Sequence, residues 1–142
     1  MRWITHLGGF WVTVTVSLAL VAIEARLGLG VLAAVAMSGI TVQVLKRGFG
    51  RRRPWNLKTD KPLAGIKLPD PFSFPSGHSA AIAALTVTIS LYRPVLSPFL
   101  LPVAALVATS RVKLLVHFLG DVLAGVSIGL AGAIAAWALF LR

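Results

Sequence analysis

VLAGVSIGLAGAIAAWALFL, residues 122–141, runs for twenty positions without a charge. At about 1.5 Å per residue such a helix is about 30 Å long, the thickness of a bilayer's hydrocarbon core. Gly125, Gly129 and Ala133 recur at every fourth position. They therefore share one helix face, where small side chains let a second helix approach closely. The stretch predicts a transmembrane helix seated inside a bundle, and the remainder of the chain has to supply its neighbours.

Four further apolar runs can be drawn, at residues 4–23, 27–45, 80–92 and 95–110, and the last run extends back toward Leu114. The run at 80–92 is short for a bilayer and is extended back to Ser76. Glu24 and Arg26 separate the first two runs, and Arg93 with Pro94 separates the third from the fourth, because proline cannot continue a helix ladder. These breaks mark one membrane face. The fold class predicted is all-α: a polytopic transmembrane bundle of about five helices, one membrane domain over residues 1–142, with a site at one interface. Met1 and Arg2 ahead of an apolar run also resemble a signal peptide ending near Ala22 or Ala25, but Glu24 sits badly in a cleavage site.

Composition agrees. Hydrophobic residues make up 57% of the 142 and charged residues 13%, with a mean hydropathy of +0.87. Four acids and fourteen Lys plus Arg could hardly cover the surface of a water-soluble globule. The absence of cysteine excludes thiolate nucleophiles, disulfides and Cys-ligated metals. A net charge of +10 raises nucleic acid as a partner, but the basic residues gather in loops between apolar runs. That distribution fits anionic headgroups or a phosphorylated substrate, and no nucleic acid.

Three clusters carry chemistry, all at predicted helix ends: Lys46 with Arg53-Pro54, then Pro75-Ser76-Gly77-His78, then Ser110-Arg111 followed by His117 and Asp121. Counting crossings, the second-to-third and fourth-to-fifth connections lie on the same side, so the clusters can meet. His117 and Asp121, four apart at the start of the last predicted helix, share a face. An ionised Asp121 can fix the imidazole tautomer and leave the other ring nitrogen free to attack phosphorus. A helix-end pair that only satisfies itself is the bland alternative. Ser76 and Gly77 read as a turn into a helix whose N-terminal amides suit phosphate oxygens. His78 beside them can protonate a leaving alkoxide; alternatively Ser76 is a plain helix cap. Lys46, Arg53 and Arg111 are donors to phosphate, the two guanidiniums in bidentate fashion. Arg47, Arg51 and Arg52 are read as lipid contacts and His6 as interfacial. The acids Glu24, Asp60, Asp70 and Asp121 are scattered, so a two-metal site lacks ligands and no P-loop is present.

These residues resemble the type 2 phosphatidic acid phosphatase family, whose signatures are K-x6-R-P, P-S-G-H and S-R-x5-H-x3-D. All three are complete and in order between residues 46 and 121. The resemblance implies a metal-independent and cofactor-free membrane phosphatase of lipid phosphates, of the phosphatidic acid, phosphatidylglycerol phosphate or undecaprenyl pyrophosphate class. It implies His117 as nucleophile forming a phosphohistidine, Asp121 as its orienter and His78 as acid and then base. Lys46, Arg53, Ser76, Gly77 and Arg111 would hold the phosphate, with Pro54, Pro75 and Ser110 structural. Many members have six helices, and here two rather than three precede the first signature. Transfer of phosphate to an acceptor lipid, haloperoxidase-like use of the site, or non-catalytic anion binding are the alternatives. The loop charges favour a cytoplasmic active face by the positive-inside rule. The resemblance points outward across the cell (inner) membrane, and that reading is adopted.

Overall fold

A computed structural model describes residues 3–54 and 70–142, so Asp60, Lys58, Lys61 and Lys67 lie outside the described residues, as does Arg2. Among the described residues there are five α-helices: α1 (Phe10–Ile23), α2 (Ala25–Phe49), α3 (Gly77–Tyr92), α4 (Ser97–Lys113) and α5 (Leu119–Ala136). A 3-10 turn, Ile4–Gly8, precedes α1, another, Pro94–Leu96, leads into α4, and a π-helical turn, Trp137–Leu141, extends α5. Ala25–Phe49, Pro94–Lys113 and Leu119–Leu141 are long and apolar enough to cross a membrane, while Phe10–Ile23 and Gly77–Tyr92 are shorter apolar helices.

The breaks follow local chemistry. Glu24 is extended between α1 and α2, and its carboxylate accepts from Arg93 at 2.9 Å and from the Tyr92 hydroxyl. The predicted face formed by the α1–α2 and α3–α4 connections is thereby tied together. Gly50 ends α2 in the left-handed region at φ 58, and its amide donates to the Lys46 carbonyl at 3.1 Å. Glycine reaches that conformation without a Cβ clash.

Packing depends on small residues where helices meet. A methyl group at Gly125 would collide with the Ser76 carbonyl, one at Gly129 with the Ala80 carbonyl, and one at Gly132 with the Ser38 hydroxyl. The Gly125–Gly129 part of the stripe is therefore the surface on which α3 rests, as the four-residue spacing predicts, and Gly132 beside it seats α2. Several buried hydroxyls bond within their own helix: Ser17 donates to the Thr13 carbonyl at 2.7 Å and Thr86 to the Ile82 carbonyl at 2.8 Å. Ile40, Phe99, Leu123 and Leu130 are exposed, as expected of side chains that face lipid rather than water. We expect Gly129→Val to destabilise the bundle by about 1–3 kcal/mol through overpacking. A thermal melt in detergent checks this, and an unchanged midpoint would place the α3 contact elsewhere.

Three expectations need correction. The first helix starts at Phe10 rather than at residue 4, because Gly9, extended at ψ 152, interrupts the ladder. The last helix starts at Leu119 rather than near Leu114, since residues 114–118 form a turn in which Leu115 holds φ 55. Finally, α5 is enclosed only along its glycine face; its Leu123, Leu130 and Ile134 are exposed. The helix at the centre is α3, which packs against α1, α2, α4 and α5. Its many Ala and Ser residues allow that enclosure and leave it without a wide lipid-facing surface.

Candidate active site

The three clusters converge at one end of the bundle, where α2 and α4 finish and α3 and α5 begin. Past Gly50 the chain doubles back so that residues 51–53 run antiparallel to 70–73, with a bridge between Arg52 and Phe72 and the Ser73 amide on the Arg51 carbonyl at 2.8 Å. This pairing brings the first cluster against the second. In an extended segment alternate side chains share a side. Arg51 and Arg53 accordingly reach toward the start of α5, while Arg52 is exposed.

Arg53 is buried, and its Nη1 donates to the Val116 carbonyl at 3.0 Å and lies 3.3 Å from His117 Nε2. The His117 ring is held at its other nitrogen: Nδ1 is 2.6 Å from the Ser73 carbonyl. A carbonyl only accepts, so Nδ1 carries the proton and the Nε2 lone pair faces Arg53. The His117 backbone is fixed as well, its amide and that of Val116 donating to the Arg111 carbonyl at 3.2 and 3.3 Å. Burial pushes the His117 pKa below its ordinary value; Asp121 opposes this, and the charges of Arg53, Arg111 and Lys46 reinforce it.

Asp121 is fully buried in the first turn of α5. The expectation that it and His117 lie on one helix face is not met, because His117 stands in the turn before the helix. The two still meet, Nδ1 to Oδ2 at 3.8 Å, but the Ser73 carbonyl is the nearer partner. The Asp121 carboxylate accepts from the Phe118 amide at 2.8 Å and from Arg51 at 2.8 Å, and its carbonyl accepts from the Ser76 amide at 2.9 Å. It thus caps α5 and joins it to α3. Arg51 also lies 4.2 Å over the Phe118 ring, which corrects its reading as a lipid contact. Arg47 and Arg52 are exposed, as is His6.

At the start of α3, Ser76 is buried and its hydroxyl is taken up with Ser79, 2.9 Å from that hydroxyl and accepting from that amide. It does not line the cavity. Its hydroxyl caps α3, the plain-cap alternative that the sequence offered beside a phosphate-binding role. Gly77 and His78 do line the cavity, and as the first two helical residues their amides have no acceptor within the helix. Gly8 of the N-terminal turn backs onto the His78 carbonyl, closely enough that a Cβ would stand at 2.8 Å. Pro54, Pro75 and Ser110 are buried behind these groups.

A cavity of about 1110 Å³ joins the parts: Lys46, Arg53, Asp70, Gly77, His78, Arg111 and His117 line it at one end. Phe10, Trp11 and Val14 of α1 and Leu32, Val35 and Gly39 of α2 line its apolar remainder. Arg111 and Arg53 are buried, yet the Nε of each has no hydrogen-bond partner among the described residues. Arg111 Nη1 is held by the Thr5 hydroxyl. Lys46 Nζ is bound by both Asp70 oxygens, at 2.8 and 2.9 Å, and by the Phe72 carbonyl at 3.1 Å.

Four participants were not read from the sequence. Arg51 had a usable signal, the two-residue alternation with Arg53. Asp70 had a weak one, as one of four acids in the chain and six residues before the Ser76 cap. Ser73 acts through its carbonyl, which no residue type encodes, and Thr5 acts across 106 positions.

The model of the PAP2 superfamily matches residues 27–142. The chain is similar to the lipid A 1-phosphatases of Rhizobium johnstonii and Rhizobium etli, each 31% identical over 100 residues that make up 67% of this chain and 40% and 42% of those proteins. It is also similar to phosphatidylglycerophosphatase B of Bacillus subtilis, 37% identical over 62% of this chain and 45% of that one. The chain thus spans less than half the length of the curated relatives it matches. Its fold resembles the crystal structure of a transmembrane PAP2 type phosphatidylglycerolphosphate phosphatase from Bacillus subtilis, with TM-score 0.79 and 29% identity over 97% of this chain and 73% of that one. The Aquifex aeolicus LpxE structure gives TM-score 0.81 and 25% identity over 96% and 82%. The fold is that of a multi-pass membrane protein.

Proposed function

The chain belongs to the PAP2 superfamily, and from that premise we propose that it is a phosphatase of lipid phosphates that works through a phosphohistidine on His117. The observation that carries the proposal is the pair of buried guanidinium N–H groups, Nε of Arg53 and of Arg111, that have no partner among the described residues and share one cavity with both imidazoles. A buried donor left unpaired is costly, and an anion at this end of the cavity removes the penalty for both. The apolar remainder of the cavity, between α1 and α2, suits acyl chains and favours a lipid over a soluble phosphate ester.

The chemistry runs in two steps. The Nε2 lone pair of His117 forms the P–N bond as the P–O bond to the lipid breaks, and His78 passes a proton to the departing oxygen. His78, now neutral, takes a proton from water, whose oxygen attacks phosphorus; the P–N bond breaks and inorganic phosphate leaves. Arg53, Arg111, Lys46 and the amides of Gly77 and His78 hold the equatorial oxygens as charge moves. As Arg53 turns its donors to phosphate, it releases the Nε2 lone pair that it faces. In cells the protein is proposed to lie in the inner membrane with this face outward. A tag placed after Arg142 should then be accessible only from the cytoplasm, because five crossings put the termini on opposite sides.

The test is a panel of lipid phosphates and pyrophosphates assayed in detergent for phosphate release. Turnover of at least one, unaffected by EDTA, is expected; no release from any of them would overturn the reading. The pH profile adds a check. Because the folded pKa of His117 is lowered, its nucleophilic neutral form persists as pH falls, so the acid limb of kcat/KM should lie below the ordinary imidazole value of about 6.5. Asp121 raises that pKa, so Asp121→Asn should move the limb lower still. The accompanying rate loss should be about 10- to 100-fold. That is well short of the roughly 10⁴-fold seen where aspartate alone fixes the tautomer, since the Ser73 carbonyl does so here.

A further inference from the structure

Among the described residues, Asp70 is the acid that touches the phosphate-binding cations Lys46 and Arg53. An ammonium has three N–H groups, and the three acceptors on Lys46 Nζ are Asp70 Oδ1 at 2.8 Å, Asp70 Oδ2 at 2.9 Å and the Phe72 carbonyl at 3.1 Å. Arg53 Nη2 is likewise occupied by Asp70, through Oδ1 and the carbonyl, both at 3.1 Å. The carboxylate is held in place by the Phe72 amide at 3.0 Å, and Asp70, its side chain 22% exposed, lines the cavity. Arg53 Nε and Arg111 Nε are buried without a hydrogen-bond partner among the described residues. An incoming anion gains Lys46 only by displacing a carboxylate oxygen from it.

We infer that Asp70 makes this site select doubly charged phosphomonoesters over singly charged phosphodiesters, the anions that surround it in a membrane. This rests on the phosphatase reading above. A carboxylate carries one charge on two oxygens, and a phosphodiester presents one charge on two terminal oxygens. Exchanging one for the other on Lys46 and Arg53 yields nothing, and the tethered carboxylate has the advantage of high effective concentration. A phosphomonoester brings nearly a second charge and a third oxygen, and so displaces Asp70 from the cations. Asp70 is thus a competing ligand that sets the threshold an anion must exceed.

The experiment is calorimetric titration of the full chain in detergent at pH 7.5 with inorganic phosphate and, separately, dimethyl phosphate, for wild type, Asp70→Asn and Asp70→Ser. Wild type should prefer inorganic phosphate. The neutral variants should bind dimethyl phosphate about tenfold more tightly, with the phosphate-to-diester ratio falling. An unchanged ratio, or both ligands weakening together, overturns the inference and leaves Asp70 as a residue that merely positions the cations. Failure of both variants to melt as folded proteins overturns it too, since Asp70 would then be a determinant of the fold. Binding is read without turnover, so a wild type that binds phosphate but hydrolyses no lipid phosphate sinks the phosphatase reading alone.

Discussion

His117→Ala is expected to lower the rate of phosphate release by about 10⁵-fold or more, the scale of loss when a covalent nucleophile is removed. Nothing nearby can take its place. The turn that carries it is pinned by the Arg111 carbonyl, and His78 enters from a different helix. The variant should still fold, because the turn's backbone contacts do not involve the ring. It loses the bond to the Ser73 carbonyl at 2.6 Å, and an unsatisfied buried acceptor costs about 1–3 kcal/mol. A melt lowered by that amount, with turnover at background and no acid-labile phosphoenzyme, is the predicted outcome. A folded variant that keeps substantial turnover would remove His117 from the nucleophile's role.

Arg111→Lys is the second large effect, and it separates charge from geometry. Lysine keeps the positive charge but not the planar fork. Arg111 is buried, its Nη1 is fixed by Thr5 and its Nε has no partner among the described residues, so the direction of its donors is set before any ligand arrives. Losing a pre-aimed donor of this kind costs about 10²- to 10³-fold in kcat, and that is the drop expected. Thr5→Val, which leaves the guanidinium intact but frees Nη1, should act in the same direction with a smaller loss, about tenfold, carried in kcat more than in KM. Near wild-type kcat in Arg111→Lys would show that only the charge at this position matters.

These effects depend on features with very different visibility in the chain. The helical membrane fold was legible because lipid solvation imposes a long-range pattern: an uncharged stretch at 122–141, apolar runs between charged breaks at Glu24 and Arg93, and glycines every four residues where α5 meets α3. The gathering of Lys46, Arg53, His78, Arg111, His117 and Asp121 was legible too, since each lies at a helix end and alternating crossings bring those ends to one side. Local geometry was less so. The glycine that delays α1 to Phe10 was readable, but the turn that holds Leu115 at φ 55 was not, and it moved His117 off the helix that was to align it with Asp121.

By itself, then, the sequence determined the all-helical bundle, the end at which the three clusters gather and the residue types found there. Those follow from hydropathy period and from side-chain identity, which one-dimensional order carries. The tertiary structure alone decided which partner each group uses: Ser73 rather than Asp121 nearest to His117, Arg51 on Asp121, Asp70 across Lys46 and Arg53, and Thr5 beneath Arg111. Such pairings are fixed by distances between segments up to 106 positions apart, and in the case of Ser73 by a backbone carbonyl that every residue possesses.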